Sequence, residues 1–409
     1  MNESKETPLG AGPYAAALTG YSAPFSGPAL LRAAELATGL SDWGGKRWAE
    51  AAFRHDFSLL CDAMEATAEL NALGRSRAHS RLFTMLVSRL RYIEARNATS
   101  GVDDQRIVAP LVGSGLPRAG TTFLHGLLAQ DPANRVLRSY EAGILVPFPS
   151  PQNDQRHALF HDILDYQGLL DPTITAIHPY YSNQPDECIF AQEGDCGSLY
   201  SVYWNVPEFQ AAIGNKNPSA FAWQLGVMQY LQAIQPGGRW ALKAPGHMFC
   251  WAEMRMAFPD ARLYVNHRDP GKVIPSIASL YMALRRLYSD CGSDPAEVGQ
   301  GQLAAWSQAM NAYIDWRTGD GRDENIADIH FEELTAKPIE TVAALYDRFD
   351  IRLSDAAREA MLRHLDVDYH GKGPTRIYTL AEFGLDEPAI EAGFARYIDH
   401  FGIKREKRA

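Results

Sequence analysis

The sequence predicts an α/β protein with a P-loop-like parallel β-sheet flanked by helices and a helical extension at its N-terminus. Three observations support this class. Short apolar segments alternate with segments of helical periodicity from about residue 105 onward, as in βαβ units. A glycine-containing turn joins the first apolar segment to the next helix. Residues 28–98 show helical periodicity alone.

The N-terminal part of the chain divides into two pieces. Residues 1–27 carry four Gly and three Pro, which predicts an irregular arm and leaves homo-oligomer formation by wrapping a neighbouring copy open. Apolar residues then recur at spacings of three and four, as at Leu82, Met85 and Leu86. We expect one domain over 28–403, in which a helical lead-in over 28–98 precedes an α/β core that starts at about residue 105.

Three apolar segments are predicted to be strands of the sheet. The first covers residues 106–113, between an acidic pair and a glycine, and is typical of a buried parallel strand. The second is 240–242, and the third is 261–266, which a helix follows from about Pro270. Near the C-terminus, the glycine and proline residues of 368–378 predict a loop.

The composition limits the partners and the compartment of the protein. The 409 residues are 46% hydrophobic and carry a formal net charge of -10, which argues against a broad nucleic-acid interface. The five cysteines are scattered without a CxxC pair, as is usual in a reducing compartment. The sequence shows neither a signal-peptide pattern nor a long apolar segment, so we expect a cytoplasmic protein without a membrane span.

The segment 115–122 (GLPRAGTT) is the strongest indication of function, because it lies between the first strand and a helix. The free N–H groups of such a turn and helix start bind anions. Gly120 permits close approach of the backbone, Arg118 supplies a cation, and Thr121 and Thr122 supply hydroxyl donors. The alternative is an ordinary strand-to-helix turn that is capped by threonine.

This segment differs from the loop of nucleoside triphosphatases at one decisive position. The pattern G-x-x-x-x-G-K-[ST] requires a Lys where this chain has Thr121. The sequence also shows no obvious apolar strand that ends in a magnesium-binding Asp. A P-loop kinase or NTPase is therefore the second hypothesis, and a nucleotide-binding protein without catalysis is the third.

Two segments resemble the signatures of sulfotransferases that use 3′-phosphoadenosine-5′-phosphosulfate (PAPS). Residues 117–122 resemble the 5′-phosphosulfate loop, and residues 262–276 resemble the 3′-phosphate segment, in which an Arg at a strand end precedes a Ser on the next helix. The resemblance covers roughly residues 30 to 403 and is closest to bacterial members related to tyrosylprotein and carbohydrate sulfotransferases. It implies these donor-binding residues: Pro117, Arg118, Ala119, Gly120, Thr121, Thr122, Arg268 and Ser276.

The resemblance also implies the reaction. The sulfuryl group of PAPS would pass by in-line displacement to a hydroxyl of a small-molecule acceptor, leaving the product PAP. Such a transfer needs an aligned acceptor, a base and stabilisation of the departing phosphate oxygen. Arg and Lys can supply the positive charge, and the sequence contains neither HExxH nor an EF-hand pattern, so we expect no metal.

Three residues are candidates for catalysis. Glu141 resembles in position the Glu base of tyrosylprotein sulfotransferases; the alternative is that it neutralises Arg135 or Arg138. Lys243 directly follows the second strand, where it can reach the sulfate and the bridging oxygen. His247 is the rival base, because imidazole titrates in the useful pH range.

Further positions follow from the resemblance with less support. Phe123 occupies the place where cytosolic sulfotransferases stack a Trp on adenine, although an apolar residue there is as readily core. Lys372 and Arg376 lie in a loop similar to the C-terminal loop that covers the nucleotide. Many aromatic residues between 143 and 235 could line an apolar acceptor pocket, or could be plain core: Phe148, Phe160, Tyr166, Tyr180, Tyr181, Phe190, Tyr200, Tyr203 and Trp204.

Overall fold

A computed structural model describes most of the chain. It covers residues 22–170, 180–197, 200–213, 218–290, 294–319, 325–366 and 378–406, with the backbone alone over 166–170. Residues 1–21 of the predicted arm, and all but Tyr378 of the predicted loop at 368–378, lie outside these ranges.

From residue 22, where the described part begins, three helices precede the sheet: α1 (Gly27–Thr38), α2 (Glu50–Thr67) and α3 (Ala72–Ala98). The start of α3 follows from local hydrogen bonding, because Asn71 accepts from the N–H of Gly74 at 2.7 Å and so satisfies a donor of the first turn. Leu60, Leu82 and Leu86 are fully buried in a core shared by α2 and α3. The helical periodicity of this region thus corresponds to helices that pack on one another.

Within the described ranges there are seven strands in two sheets: β1 (Leu111–Gly115), β2 (Asn134–Arg135), β3 (Pro149–Ser150), β4 (Asn153–Asp154), β5 (Arg239–Lys243), β6 (Arg262–His267) and β7 (Ile326–His330). The main sheet has the order β2-β5-β1-β6-β7, and all of its neighbouring strands are parallel. The strands β3 and β4 form a short antiparallel pair.

Thirteen further α-helices surround the sheet within the described ranges: α4 (Thr121–Leu128), α5 (Ser139–Gly143), α6 (Arg156–Leu170), α7 (Tyr200–Tyr203), α8 (Pro207–Ile213), α9 (Pro218–Ile234), α10 (Trp251–Ala257), α11 (Pro270–Arg286), α12 (Pro295–Thr318), α13 (Phe331–Ala336), α14 (Pro338–Arg348), α15 (Asp355–Asp366) and α16 (Glu387–His400). Short 3₁₀ helices span Cys188–Asp195, Pro245–Phe249 and Ala381–Phe383. The prediction of an α/β fold with a parallel sheet and flanking helices is confirmed.

The first strand is shorter than the sequence indicates. It begins at Leu111, whereas the apolar run predicted a strand from residue 106. Ala109 has a left-handed backbone with φ 44°, and its N–H donates to the Asp260 carboxylate at 2.7 Å. The chain therefore turns just before Pro110, and only the residues after the turn join the sheet.

The central strand β1 brings together the segments that carry the candidate site. All five of its residues are buried between β5 and β6. At Gly113, an added Cβ would lie 2.2 Å from the ring of Tyr264, so the close packing here requires glycine. Because the strands are parallel, the chain leaves β1, β5 and β6 at the same edge of the sheet, where parallel α/β proteins bind ligands.

Candidate active site

The turn between β1 and α4 has the backbone of an anion-binding loop. Gly120 precedes α4 with φ 81° and ψ 12°, and an added Cβ would lie 3.0 Å from a methyl group of Leu334. A side chain at position 120 would therefore be disfavoured both by the left-handed backbone conformation and by its close contact with Leu334. Arg118 is exposed and also left-handed, with φ 64°. The turn ends at the N-terminus of α4, and a helix N-terminus favours the binding of an anion.

The other residues of the loop differ in exposure. Ala119 and Thr121 are buried, Pro117 is half-buried, and Thr122 is exposed. Phe123 is half-buried and packs against a core cluster beneath the sheet. Its position in the first turn of α4 allows part of the ring to face the surface, so core packing and contact with a ligand are compatible here.

Lys243 joins the second strand to the loop. It ends β5, and only 3% of its side chain is exposed. The ammonium Nζ lies 3.3 Å from the Thr122 hydroxyl and 2.8 Å from the Glu187 carboxylate. The structure thus brings Lys243 to the turn between β1 and α4, where its charge would stabilise a bound anion.

Arg268 reaches the loop from the third strand. It follows β6 directly, and its Nη1 donates to the carbonyl oxygen of Arg118 at 2.8 Å. Its guanidinium stacks on the ring of Phe331 at 3.8 Å and forms an ion pair with Glu406. A cavity of about 170 Å³ adjoins these side chains. The two segments that the sequence assigns to one donor are therefore in direct contact.

Ser276 lies on the helix that follows Arg268. It is half-buried in α11, whose first turn is capped by the Asp269 carboxylate, which accepts from the N–H of Gly271 at 3.0 Å. Among the described residues, no hydrogen bond joins Ser276 to Arg268. Lys372 and Arg376 lie outside the described residues, so the structure tests neither of them.

Both carboxylate oxygens of Glu141 accept hydrogen bonds from neighbouring residues. It is 2% exposed and belongs to α5, where its Oε2 accepts from the N–H of Arg138 at 3.0 Å. Its Oε1 accepts from the Arg135 guanidinium at 3.0 Å. Burial lowers the pKa of Arg135, and the Glu141 carboxylate opposes this shift. These contacts are those of a helix cap and a counter-ion, which the sequence left open as the alternative role.

His247 is buried beside Lys243 in the 3₁₀ helix that follows β5. Its Nε2 lies 3.1 Å from the Cys188 sulfur, and its Nδ1 has no hydrogen-bond partner among the described residues. Burial, with a further contribution from the Lys243 charge, lowers the pKa of His247 to about 4. The imidazole is therefore neutral at physiological pH but only weakly basic.

Sequence reasoning did not single out Glu187. It precedes the 3₁₀ helix Cys188–Asp195 and forms the 2.8 Å ion pair with Lys243 described above. The two residues are 56 positions apart in the chain, and no spacing rule relates them. The surrounding segment Pro185-Asp-Glu-Cys188 contains no pattern that assigns a role to its acidic residues.

The aromatic residues expected near the acceptor have mixed surroundings. Tyr200 and Trp204 stack at 5.3 Å between ring centroids, and each is 1% exposed within the core of the N-terminal helices. These two rings are structural. Phe148 and Tyr181, in contrast, are 56% and 66% exposed, and the side chain of Tyr166 lies outside the described residues.

The described residues contain neither a metal-binding cluster of side chains nor a membrane-spanning helix. No group of three or more His, Cys, Asp or Glu side chains there is arranged to hold a metal ion. No helix in the same ranges has the length and apolar character needed to cross a membrane.

Comparisons with known proteins identify relatives of the chain. A family model described as "Sulfotransferase family" matches residues 110–355. The crystal structure of a sulfotransferase from Mycobacterium tuberculosis is similar with a TM-score of 0.78 and 26% identity, covering 90% of this chain and 98% of that one. A sulfotransferase from Mycobacterium avium superposes with a TM-score of 0.82 at 24% identity, covering 94% and 98%. A search of curated proteins gave no match.

Proposed function

Because the chain belongs to the sulfotransferase family, we propose that it transfers the sulfuryl group of PAPS to a hydroxyl of a small, apolar or aromatic acceptor. The observation that carries the choice of donor is the contact between Arg268 and the carbonyl oxygen of Arg118 at 2.8 Å. It joins the strand end that would bind a 3′-phosphate to the loop that would bind a 5′-phosphosulfate. One elongated nucleotide with an anionic group at each end can bridge two such cationic points.

In this proposal the loop residues hold the 5′ end of the donor. The N–H groups at the start of α4 and the side chain of Arg118 bind the phosphosulfate oxygens, assisted by Thr121 and Thr122. Pro117, Ala119 and Gly120 fix the shape of the turn. Phe123, at the surface edge of the first helical turn, is placed to contact the base.

The 3′-phosphate contacts in this proposal come from the region after β6. The planar guanidinium of Arg268 suits a bidentate phosphate contact, and Ser276 adds a hydroxyl from α11. Lys372 and Arg376 would supplement this charge from the C-terminal loop.

Lys243 has the role of stabilising the departing oxygen. Its ammonium already lies beside Thr122 at the phosphate loop, so no large movement is needed to reach the bridging oxygen of the donor. The acceptor must also lose a proton. Glu141 and His247 are the bases proposed from the sequence, but the contacts of Glu141 and the low pKa of His247 weaken both assignments.

The proposal also includes a cytoplasmic location. Within the described residues, Cys61, Cys188, Cys196 and Cys250 are buried thiols that form no disulfide. Free thiols are usual in the reducing cytoplasm and unusual in an oxidising compartment, which supports a cytoplasmic location.

The direct test is ligand binding by the purified protein. PAP and magnesium ATP are titrated separately while the melting temperature is followed, because a ligand that binds the native state raises it. We expect stabilisation by PAP and none by magnesium ATP. Stabilisation by magnesium ATP alone would replace this proposal with the kinase or NTPase hypothesis. A matched Arg118→Ala variant should reduce the response to PAP.

A further inference from the structure

Glu187 contacts Lys243 in the candidate site, and hydrogen bonds and buried neighbours fix its backbone. Just before it, the N–H of Asp186 donates to the carbonyl of Leu137 at 2.8 Å, and the N–H of Glu187 donates to the Asp186 carboxylate at 2.7 Å. Just after it, Cys188 is buried against His247. Two buried neighbours thus fix a residue whose own side chain is 25% exposed.

The ammonium of Lys243 lies between this carboxylate and the phosphate loop. It contacts the Thr122 hydroxyl on one side and Glu187 Oε1 on the other. An almost fully buried ammonium needs a counter-ion, and Glu187 supplies it in the absence of a donor. An anion bound at the loop would supply a second counter-ion for the same ammonium.

We infer that Glu187 is the general base of the sulfuryl transfer and that it competes with the donor sulfate for Lys243. This inference rests on the proposed function. When the donor occupies the loop, Lys243 turns toward the sulfate and the bridging oxygen. The Glu187 carboxylate, which pairs with Lys243 in the structure, is then released beside the sulfuryl group.

The step balances as a single displacement. The acceptor oxygen forms a bond to sulfur while its proton passes to the Glu187 carboxylate. The bond between sulfur and the bridging oxygen breaks, and its electron pair stays on the 5′-phosphate of PAP, where Lys243 offsets the new negative charge. Glu187 later loses the proton to water.

Exposure and contacts favour Glu187 over the two bases proposed from the sequence. Both oxygens of Glu141 are taken by Arg135 and by the backbone of Arg138. His247 is 1% exposed, and its Nε2 lies against the Cys188 sulfur. Among the described residues, Glu187 Oε2 has no hydrogen-bond partner, so this oxygen is available to a hydroxyl group.

The test compares Glu187→Gln with a matched control, Glu193→Gln. Glu193 lies in the 3₁₀ helix that Glu187 directly precedes. It also forms an ion pair of 2.8 Å, but with Arg81, and its side chain is 24% exposed. Affinities for PAPS and PAP are measured by calorimetry. Release of PAP from PAPS is followed with water and with 4-nitrophenol and 2-naphthol as trial acceptors.

For Glu187→Gln we expect tighter binding of PAPS, by about threefold to tenfold, because the sulfate no longer competes for Lys243. Binding of PAP, which lacks the sulfate, should change less. PAP release should fall by about 10²- to 10⁴-fold, and Glu187→Asp should recover part of it. Glu193→Gln should leave all of these values unchanged.

Each other outcome identifies what failed. If the wild-type protein binds neither nucleotide, the proposed function is wrong. If it binds both and Glu187→Gln leaves the PAPS affinity unchanged, the competition for Lys243 is wrong. Unchanged PAP release in Glu187→Gln overturns the base assignment, and a loss confined to Glu141→Gln returns the role to Glu141. The affinity measurement requires no acceptor.

Discussion

The guanidinium of Arg268 holds the carboxylate of Glu406 by two hydrogen bonds, from Nε to Oε1 at 2.7 Å and from Nη2 to Oε2 at 3.0 Å. This fork geometry is the one that arginine also offers to a phosphate. The N–H of Glu406 is itself fixed, because it donates to the Asp269 carboxylate at 2.8 Å. Under the proposed function, Glu406 thus occupies the donors that a 3′-phosphate would use.

We therefore predict that Glu406→Gln tightens PAP binding by about threefold to tenfold, since it removes a competing negative charge. Adenosine 5′-phosphate lacks the 3′-phosphate, and its affinity should stay the same. Calorimetric titration of both nucleotides checks this. Equal gains for the two would show that Glu406 acts through the general charge of the site rather than through Arg268.

Arg268→Ala should have the opposite effect. Loss of a bidentate contact to a desolvated phosphate is expected to weaken PAP binding by about 2–5 kcal/mol, with a much smaller change for adenosine 5′-phosphate. In the Arg268→Ala background, Glu406→Gln should no longer improve PAP binding. A persistent improvement there, or an unchanged PAP affinity of Arg268→Ala, would contradict the assignment of Arg268 to the 3′-phosphate.

The buried ion pair of Arg89 and Asp195 should dominate the stability of the helical lead-in. Arg89 is fully buried and donates to Asp195 Oδ1 at 3.1 Å, while its guanidinium stacks on Phe53 at 3.7 Å. Asp195→Ala leaves this charge unpaired, so the free energy of unfolding should fall by about 3–5 kcal/mol. Urea denaturation measures the change.

The matched control for that prediction is the exposed pair of Arg396 and Asp315. Asp315→Ala removes an ion pair that water already screens, so the unfolding midpoint should hardly move. A similar loss in both variants would mean that burial does not decide the contribution of these pairs.

The stability of the protein should also fall at acid pH because of His125. This residue is buried in α4 with its Nε2 3.0 Å from the Ala241 carbonyl oxygen. Burial, together with the Lys243 charge, lowers its pKa to about 3, against about 6.5 in the unfolded chain. The unfolded state therefore binds more protons below pH 6.5 or so, and stability is lost progressively as the pH falls toward 3 or so.

His125→Gln tests this effect because it keeps a donor for Ala241 but does not titrate. Urea unfolding at pH 7 and pH 5 should show a smaller loss in the variant than in the wild-type protein. An identical loss would assign the acid sensitivity to other groups, such as the buried His247.

The fold and the turn between β1 and α4 were predictable because their signals are local. The segment 115–122 combines a strand end, glycines and threonines within eight residues, a pattern typical of the turn from a strand into a helix N-terminus. The start of β1 was misjudged, since the left-handed Ala109 is held by Asp260, which lies 151 residues away.

The contacts of the site required the folded structure. Glu187 meets Lys243, and Glu406 meets Arg268, only because the parallel strands place distant segments at one edge. Sequence reasoning could identify Lys243 and Arg268 from their positions at strand ends. It could not identify the carboxylates that pair with them, since acidic residues are common on any surface.

The placement of β1 between β5 and β6 has a consequence for how the protein acquires its structure. The register between β1 and β6 joins Leu111 to Arg262, so the chain must close a very long loop before the centre of the sheet exists. Contacts of such sequence separation form slowly. Arg118 and Arg268 become neighbours only at that stage. The rate at which PAP binding recovers during refolding would therefore report how fast β1 pairs with β6.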